Sequence, residues 1–354
     1  MYNKMINFSG KKYPGKNNLI TDVGGLMVGN SEDEDIITGV TALVPSQKFI
    51  ASCDIRGGAP ASRELDLLDP INTVNEINAL VISGGSVYGL DSASAITSLI
   101  GHKNIGYKID GSPISAPIIP TACLFDLKNG GNKNWDPISP YYELGIEAYK
   151  NAKIEFPLGN YGAGMGAIAG KLKGGIGSAS LTIDEELVIG ALVVVNSIGS
   201  TVIPGTNILW GSPFEINNEF NTSNILSDRS YKKLSFINAL KDTKLENTAQ
   251  KPRENTTIAI IATNADLNTV ELKRLAIMSQ AGLARSIRPI NTPLDGDIIF
   301  TISNNNIKIP EPRENSITEL GTLAADTLAR AIGRAICNAE SIKNIKSYMD
   351  FYTK

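Results

Sequence analysis

The sequence predicts an α+β protein built of two β-sheets covered by helices. Three observations carry that expectation. Continuous apolar and β-branched runs, such as Ala191-Leu192-Val193-Val194-Val195 and Ile258-Ala259-Ile260-Ile261, have the pattern of strands buried on both faces. Strand-like and helix-like segments each come in runs, not in the strict alternation that marks a doubly wound parallel sheet. The 33 glycines among 354 residues let backbones cross closely where such segments meet.

In chain order, residues 19–28 and 36–44 read as short strands joined by the acidic turn Asn30-Ser31-Glu32-Asp33-Glu34-Asp35. A loop rich in glycine and paired charges follows, with Arg56-Gly57-Gly58-Ala59-Pro60 and Arg63-Glu64-Leu65-Asp66-Leu67-Leu68. Residues 79–83 form a buried strand that runs into Gly84-Gly85-Ser86-Val87-Tyr88-Gly89 and then a helix through Ile96, Leu99 and Ile100. A glycine pair between strand and helix reads either as a tight packing turn or as a loop offering free amides to a ligand. No Gly-Lys-Ser/Thr follows it, so it is not a Walker loop.

Residues 113–126 read as a strand entering a loop, and residues 141–151 as a helix. Eight glycines between Gly159 and Gly177 are too many for a regular element, so the backbone is expected to bend closely around something. Lys171 and Lys173 in that stretch are either solvated or positioned charges. Residues 178–187 and 188–196 read as a hairpin around Asp184-Glu185-Glu186. Its second strand delivers Asn196, a turn former or a donor to an oxyanion. Residues 204–255 turn polar, with one modest amphipathic helix near 231–240, as a linker or functional loop does.

At Asn255-Thr256-Thr257-Ile258 that polar tract gives way at once to a buried strand. Two threonines there are ordinary as a strand start. A helix follows, with Asn268 as N-cap, Glu271 completing a capping box and Leu267 stapled to Leu272. Asp295-Gly296-Asp297, a polar turn or a carboxylate pair, precedes the strand at 298–302. A capping box from Ser316 to Glu319 opens a long amphipathic helix that ends the chain.

Composition excludes several functions. With 42% hydrophobic and 19% charged residues the chain can bury a substantial core. A net charge of −3, with scattered Lys and Arg, offers no stripe for nucleic acid or an anionic membrane, so the expected partner is a small molecule or peptide. Residues 1–18 lack an apolar h-region and no run approaches the roughly 18 apolar residues of a membrane span, which suggests a cytoplasmic, soluble protein. Cys53, Cys123 and Cys337 show no CxxC spacing, so neither zinc nor a disulfide frame is indicated. His102 is the only histidine, which excludes metal sites needing two imidazoles, and it reads as a solvated helix end. No metal or cofactor is implied, and an enzyme built on this sequence takes its general base from somewhere other than histidine.

One set of motifs, in this order along residues 19–340, resembles the P1 peptidase family. The set comprises Asp22-Val23-Gly24-Gly25-Leu26-Met27-Val28-Gly29, Arg56-Gly57-Gly58-Ala59-Pro60, Arg63-Glu64, Asp66-Leu67-Leu68, Gly84-Gly85-Ser86, Gly89-Leu90, Gly162-Ala163-Gly164, Lys173-Gly174-Gly175-Ile176-Gly177, Asn255-Thr256, Ala262-Thr263 and Asp295-Gly296-Asp297. That family contains L-aminopeptidase/D-esterases, β-aminopeptidases and the 6-aminohexanoate-oligomer endohydrolase, a nylon-oligomer hydrolase. The resemblance implies an αββα sandwich of the N-terminal-nucleophile hydrolase type, a single domain over residues 1–354 that cuts itself into 1–255 and 256–354.

It further implies cleavage between Asn255 and Thr256, with Thr256 as nucleophile, Asp295 and Asp297 orienting it, and Asn196 contributing to the oxyanion site. Tyr88 matches a tyrosine near the substrate, and Gly84 and Gly85 the substrate loop. The active-site lysine matches Lys171 by the nylon enzyme's Gly-Lys pair, the assignment favoured here, or Lys173 by the family's Lys-Gly-Gly. Short peptides or linear amides, 6-aminohexanoate oligomers included, are the implied substrates, and a homotetramer the implied assembly. Acyl transfer to an amine, as in ornithine acetyltransferase, and non-catalytic small-molecule binding are the alternatives.

Overall fold

The computed structural model describes residues 6–222, 240–246 and 255–352. Its strands are β1 (Lys12–Tyr13), β2 (Leu26–Asp33), β3 (Thr38–Pro45), β4 (Phe49–Ile55), β5 (Ala61–Arg63), β6 (Glu76–Ile77) and β7 (Leu80–Ser83). They continue with β8 (Thr121–Cys123), β9 (Ile168–Ala169), β10 (Leu172–Lys173), β11 (Gly175–Ile183), β12 (Leu187–Asn196), β13 (Thr256–Ala265) and β14 (Ile298–Ile307). The helices are α1 (Asp91–His102), α2 (Tyr141–Lys150), α3 (Thr269–Ser286), α4 (Arg313–Cys337) and the short α5 (Tyr348–Tyr352).

A seven-stranded sheet in the order β1-β11-β12-β13-β14-β4-β6 faces a five-stranded sheet in the order β2-β3-β7-β8-β5. Helices α3 and α4 cover the larger sheet, and α1 and α2 the smaller. Three apolar layers follow. Ala191, Val193 and Ile261 pack against Leu275 and Leu328 under the helices. Leu43, Ile82, Leu192, Val194, Ile260 and Phe300 fill the space between the sheets. Val40, Ala42 and Val81 meet Ile96 and Leu144 on the far side. Alternate residues of β12 and β13 thus face two different cores, which is why their central runs, 187–195 and 258–262, are apolar and not alternating. Each Val, Leu, Ile or Phe among them contributes roughly 1.5–3 kcal/mol of burial. The expected αββα sandwich is the observed one.

Several local expectations hold. Asp184 and Glu185 turn the β11–β12 hairpin with φ of 51° and 65°. At the start of α3, Glu271 N donates to Asn268 Oδ1 at 2.9 Å and Asn268 N to Glu271 Oε2 at 2.8 Å. His102 is exposed in the last turn of α1.

Others need correction. Residues 20–23 are a 3₁₀ turn, not strand; β2 begins at Leu26, after the Gly24-Gly25 break, and runs through the supposed acidic turn to Asp33. It can carry Asn30, Glu32 and Asp33 because it is an edge strand with part of one face open. The box at Ser316 is not a helix start: α4 begins at Arg313, directly after Pro312, and Ser316 Oγ donates to Pro310 O at 2.7 Å. Proline ahead of the first turn sets that boundary. Except for Leu240, the helix expected at 231–240 lies outside the described residues.

Candidate active site

Three strand ends of the larger sheet converge on residues 255–257. Antiparallel pairing sets Asn196, the last residue of β12, opposite Thr256, the first of β13. Parallel pairing sets Ile298 beside Ile258, so the turn 295–297 ahead of β14 runs alongside Asn255. Asn255, Thr256, Asp295 and Asp297 are each no more than 3% exposed.

The Asn255 carbonyl oxygen is the centre of the arrangement. It accepts from Thr256 Oγ1 at 2.5 Å and from Gly296 N at 2.7 Å, while Asn255 N donates to Leu294 O at 3.0 Å. Only glycine fits at 296: a Cβ there would lie 2.8 Å from Thr256 Oγ1 and 2.7 Å from Ala59 O.

The two carboxylates flanking Gly296 hold its turn. Asp295 Oδ2 accepts from Thr292 N at 3.1 Å and Thr292 Oγ1 at 2.6 Å, and its Oδ1 from Ile198 N at 3.3 Å. Asp297 accepts from Thr257 N at 2.6 Å through Oδ1 and from Asn291 N at 2.8 Å through Oδ2. Burial, and then the charge of Asp295, push the Asp297 carboxyl well above the usual range.

Asn196 is beside the nucleophile candidate, with its amide engaged elsewhere. Its Oδ1 accepts from Ile168 N at 3.0 Å and its Nδ2 donates to Phe125 O at 3.0 Å. The two lysines part company. Lys171 pairs with Asp242 at 2.5 Å and sits 4.9 Å from the Phe351 ring centroid, partly solvated. Lys173 is fully buried and donates to Gly164 O at 2.8 Å and Gly174 O at 2.9 Å. Burial lowers its ammonium to about 7, against the opposing pull of Asp126.

Tyr88 is exposed, its ring edge-on to Trp135 at 5.6 Å. Gly85, at φ +81°, passes so close to Tyr141 that a Cβ would lie 2.1 Å from the ring. Its N–H donates to Asp126 Oδ1 at 2.8 Å, and Thr38 Oγ1 donates to Asp126 Oδ2 at 2.6 Å. Burial pushes Asp126 up, against the pull of Lys133.

Sequence reasoning passed over three of these residues. Gly296 acts through its backbone, and its position between two carboxylates was the available signal. Asp126 gave none, because Thr38 lies 88 residues away. Lys244, in the polar segment before Asn255, reaches Asn255 Oδ1, Asn196 Oδ1 at 3.3 Å and Asn196 O at 3.4 Å. Lys244, Asn255, Asn196, Asp126, Asn129 and Ile168 line a partly open pocket of ≈ 330 Å³, mouth included. No helix among the described residues is long and apolar enough to cross a membrane.

Residues 18–349 match the description "Peptidase family S58". The chain is 36% identical over 352 residues to an uncharacterized aminopeptidase of Mycobacterium bovis, covering 95% of this chain and 98% of that one. It is 26% identical over 333 residues to the 6-aminohexanoate-oligomer endohydrolase of Kocuria sp., covering 90% and 86%. In fold it is similar to the L-aminopeptidase D-Ala-esterase/amidase of Ochrobactrum anthropi, described as a variant of the Ntn hydrolase fold: TM-score 0.69, 18% identity, 98% and 97% covered.

Proposed function

This chain belongs to peptidase family S58 and hydrolyses peptide or amide bonds, and from that premise we propose that Thr256 is its N-terminal nucleophile, freed by self-cleavage after Asn255. The observation that carries the reading is the pair of donors on one buried carbonyl oxygen. Thr256 Oγ1 lies against the Asn255 carbonyl, and Gly296 N–H points at the oxygen on which negative charge develops when that carbonyl is attacked.

Cleavage follows an N-to-O acyl shift. Thr256 Oγ bonds to the Asn255 carbonyl carbon, the C–N bond breaks as the hydroxyl proton passes to the leaving nitrogen, and water hydrolyses the resulting ester. The products are residues 1–255 and 256–354. The new α-amine of Thr256, a group that ordinarily titrates at about 7.7–8.0, then serves as general base toward its own hydroxyl, so no imidazole is needed. In turnover it takes the hydroxyl proton, hands it to the leaving amine, and activates the water that releases the acyl group.

In this reading Asp295 and Asp297 are positioning residues that aim Gly296 N–H and fix the first residues of β13. Asn196 holds the neighbouring strand end and Ile168. Lys173 braces the glycine-rich loop; Lys171 holds residue 242 and has no contact with Thr256 among the hydrogen bonds and ion pairs described. Substrates are short peptides or linear amides, 6-aminohexanoate oligomers among them. Intact mass of freshly purified protein tests the proposal: two species dividing at 255/256 are expected in the wild type and one species, without hydrolase activity, in Thr256→Ala. An active, undivided wild type overturns it.

A further inference from the structure

We propose that Asn255 is the template for the acyl-side residue of the substrate, and that the mature site prefers an N-terminal asparaginyl or aspartyl residue held by Lys244. The inference rests on Thr256 being the nucleophile. One hydroxyl then attacks two carbonyls in succession, its own chain's and the substrate's. Near-attack geometry requires the second to take the place of the first. The groups around Asn255 are therefore those that meet the substrate residue whose carbonyl is attacked.

The main-chain N–H and oxygen of Asn255 and its side-chain Oδ1 each have a contact in the structure. Its N–H donates to Leu294 O at 3.0 Å, where the amino group of a substrate with a free N-terminus would stand. Its carbonyl oxygen accepts from Gly296 N at 2.7 Å. Its side-chain Oδ1 accepts from Lys244 Nζ. The ammonium of Lys244 is also placed by Asn196, through Oδ1 at 3.3 Å and the main-chain oxygen at 3.4 Å. Those two contacts belong to β12 and hold Lys244 at the same point when Asn255 leaves. The segment carrying Lys244 is itself docked, with Lys244 N donating to Ile198 O at 3.1 Å and Asp242 paired to Lys171.

The side chain recognised at this point needs an oxygen acceptor on its γ carbon. An amide satisfies the ammonium as Asn255 does, and a carboxylate adds an ion pair. Leucine, branched at the same γ carbon as asparagine, brings methyl groups against Lys244, Asn196 and Asn129 and leaves polar groups facing carbon. Sites built around a hydrogen bond reject the analogue that lacks it far more strongly than apolar pockets reject a missing methylene.

The test is kcat/KM of the processed wild type on the p-nitroanilides of asparagine, aspartate, leucine and alanine, repeated with Lys244→Ala and Lys244→Arg. Expected is a preference of about tenfold or more for asparagine or aspartate over leucine, lost in Lys244→Ala and partly kept in Lys244→Arg. Turnover of leucine or alanine at least as fast as of asparagine and aspartate in the wild type overturns the inference alone. So does a preference unchanged in Lys244→Ala. No turnover of any of the four, with the chain undivided, overturns the Thr256 reading and this one with it. If Lys244→Ala does not mature, the wild-type ratio and Lys244→Arg decide.

Discussion

The main-chain N–H of Gly296 and the main-chain oxygen of Asn255 are 2.7 Å apart, and the side chain of Thr256 reaches that same oxygen. A donor fixed by backbone geometry on a buried carbonyl costs no reorganisation when charge develops there. Its placement depends on a turn held by carboxylates on either side and on the absence of any side chain at 296.

Gly296→Ala tests that placement. The added methyl collides with Thr256 Oγ1 and Ala59 O, so hydroxyl and turn cannot both keep their positions. Self-cleavage slows by about 10²–10³, the usual cost of one lost oxyanion donor. A time course of intact mass reads the rate, and a thermal melt shows that the variant folds. Cleavage at the wild-type rate would remove Gly296 from the mechanism.

Asp297→Asn puts an amide group where both carboxylate oxygens accept main-chain N–H groups, those of Thr257 and Asn291. One donor then faces another, at a cost of about 1–3 kcal/mol, and the start of β13 shifts. Slower cleavage and slower turnover are expected together, measured by mass and by anilide hydrolysis. Normal values of both would show that the carboxylate serves stability only.

Lys173→Met changes the response of stability to pH. Burial holds the folded-state ammonium at about 7, below its unfolded value near 10.4. With a depressed folded pKa the unfolded chain binds the extra proton between these values, so the lysine's contribution to stability rises from pH 7 toward 10 and is lost as pH falls through 7. Unfolding free energies from denaturant titrations, wild type minus variant, should climb over that window with a slope of up to about 1.4 kcal/mol per pH unit. A flat difference would mean that Lys173 stays charged in its glycine-walled niche.

Arg330→Met probes the fold away from the site. Arg330, 2% exposed in the middle of α4, donates to Glu219 at 2.6 and 2.9 Å, to Ser180 O and to Asn18 Oδ1. Burial raises Glu219, and the hydrogen bond and charge of Arg330 outweigh it, leaving the carboxyl below its usual value. Removing the cation strands a largely buried carboxylate and costs about 3–5 kcal/mol, read by denaturant unfolding. A change under about 1 kcal/mol would mean that Glu219 finds water or another partner.

Much of this was legible in the residues. The layers could be foreseen because strands buried on both faces leave no alternation, as in β12 and β13. The border at Thr256 was visible because polarity changes there within two residues. Boundaries at Leu26 and Arg313 were misread because a glycine pair and a proline, not the polar residues nearby, set them. The site's other parts act through contacts that local pattern does not encode. Asp126 joins Thr38 across 88 residues, Gly296 contributes a main-chain N–H that every residue but proline has, and Lys244 comes from a segment without periodicity.

The bond proposed to be cut joins Asn255 to the first residue of β13, and the two residues are 2% and 3% exposed. Burial to that degree keeps the catalytic groups of a second protein molecule away from the bond. On the proposal that Thr256 cuts its own chain, maturation is a first-order event within each chain: dilution does not slow it, active enzyme does not speed it, and no cascade amplifies it. Thr256→Ala chains incubated with an excess of active wild type should stay whole indefinitely, so the rate at which new chains become active is set only by how fast each one folds and cuts itself.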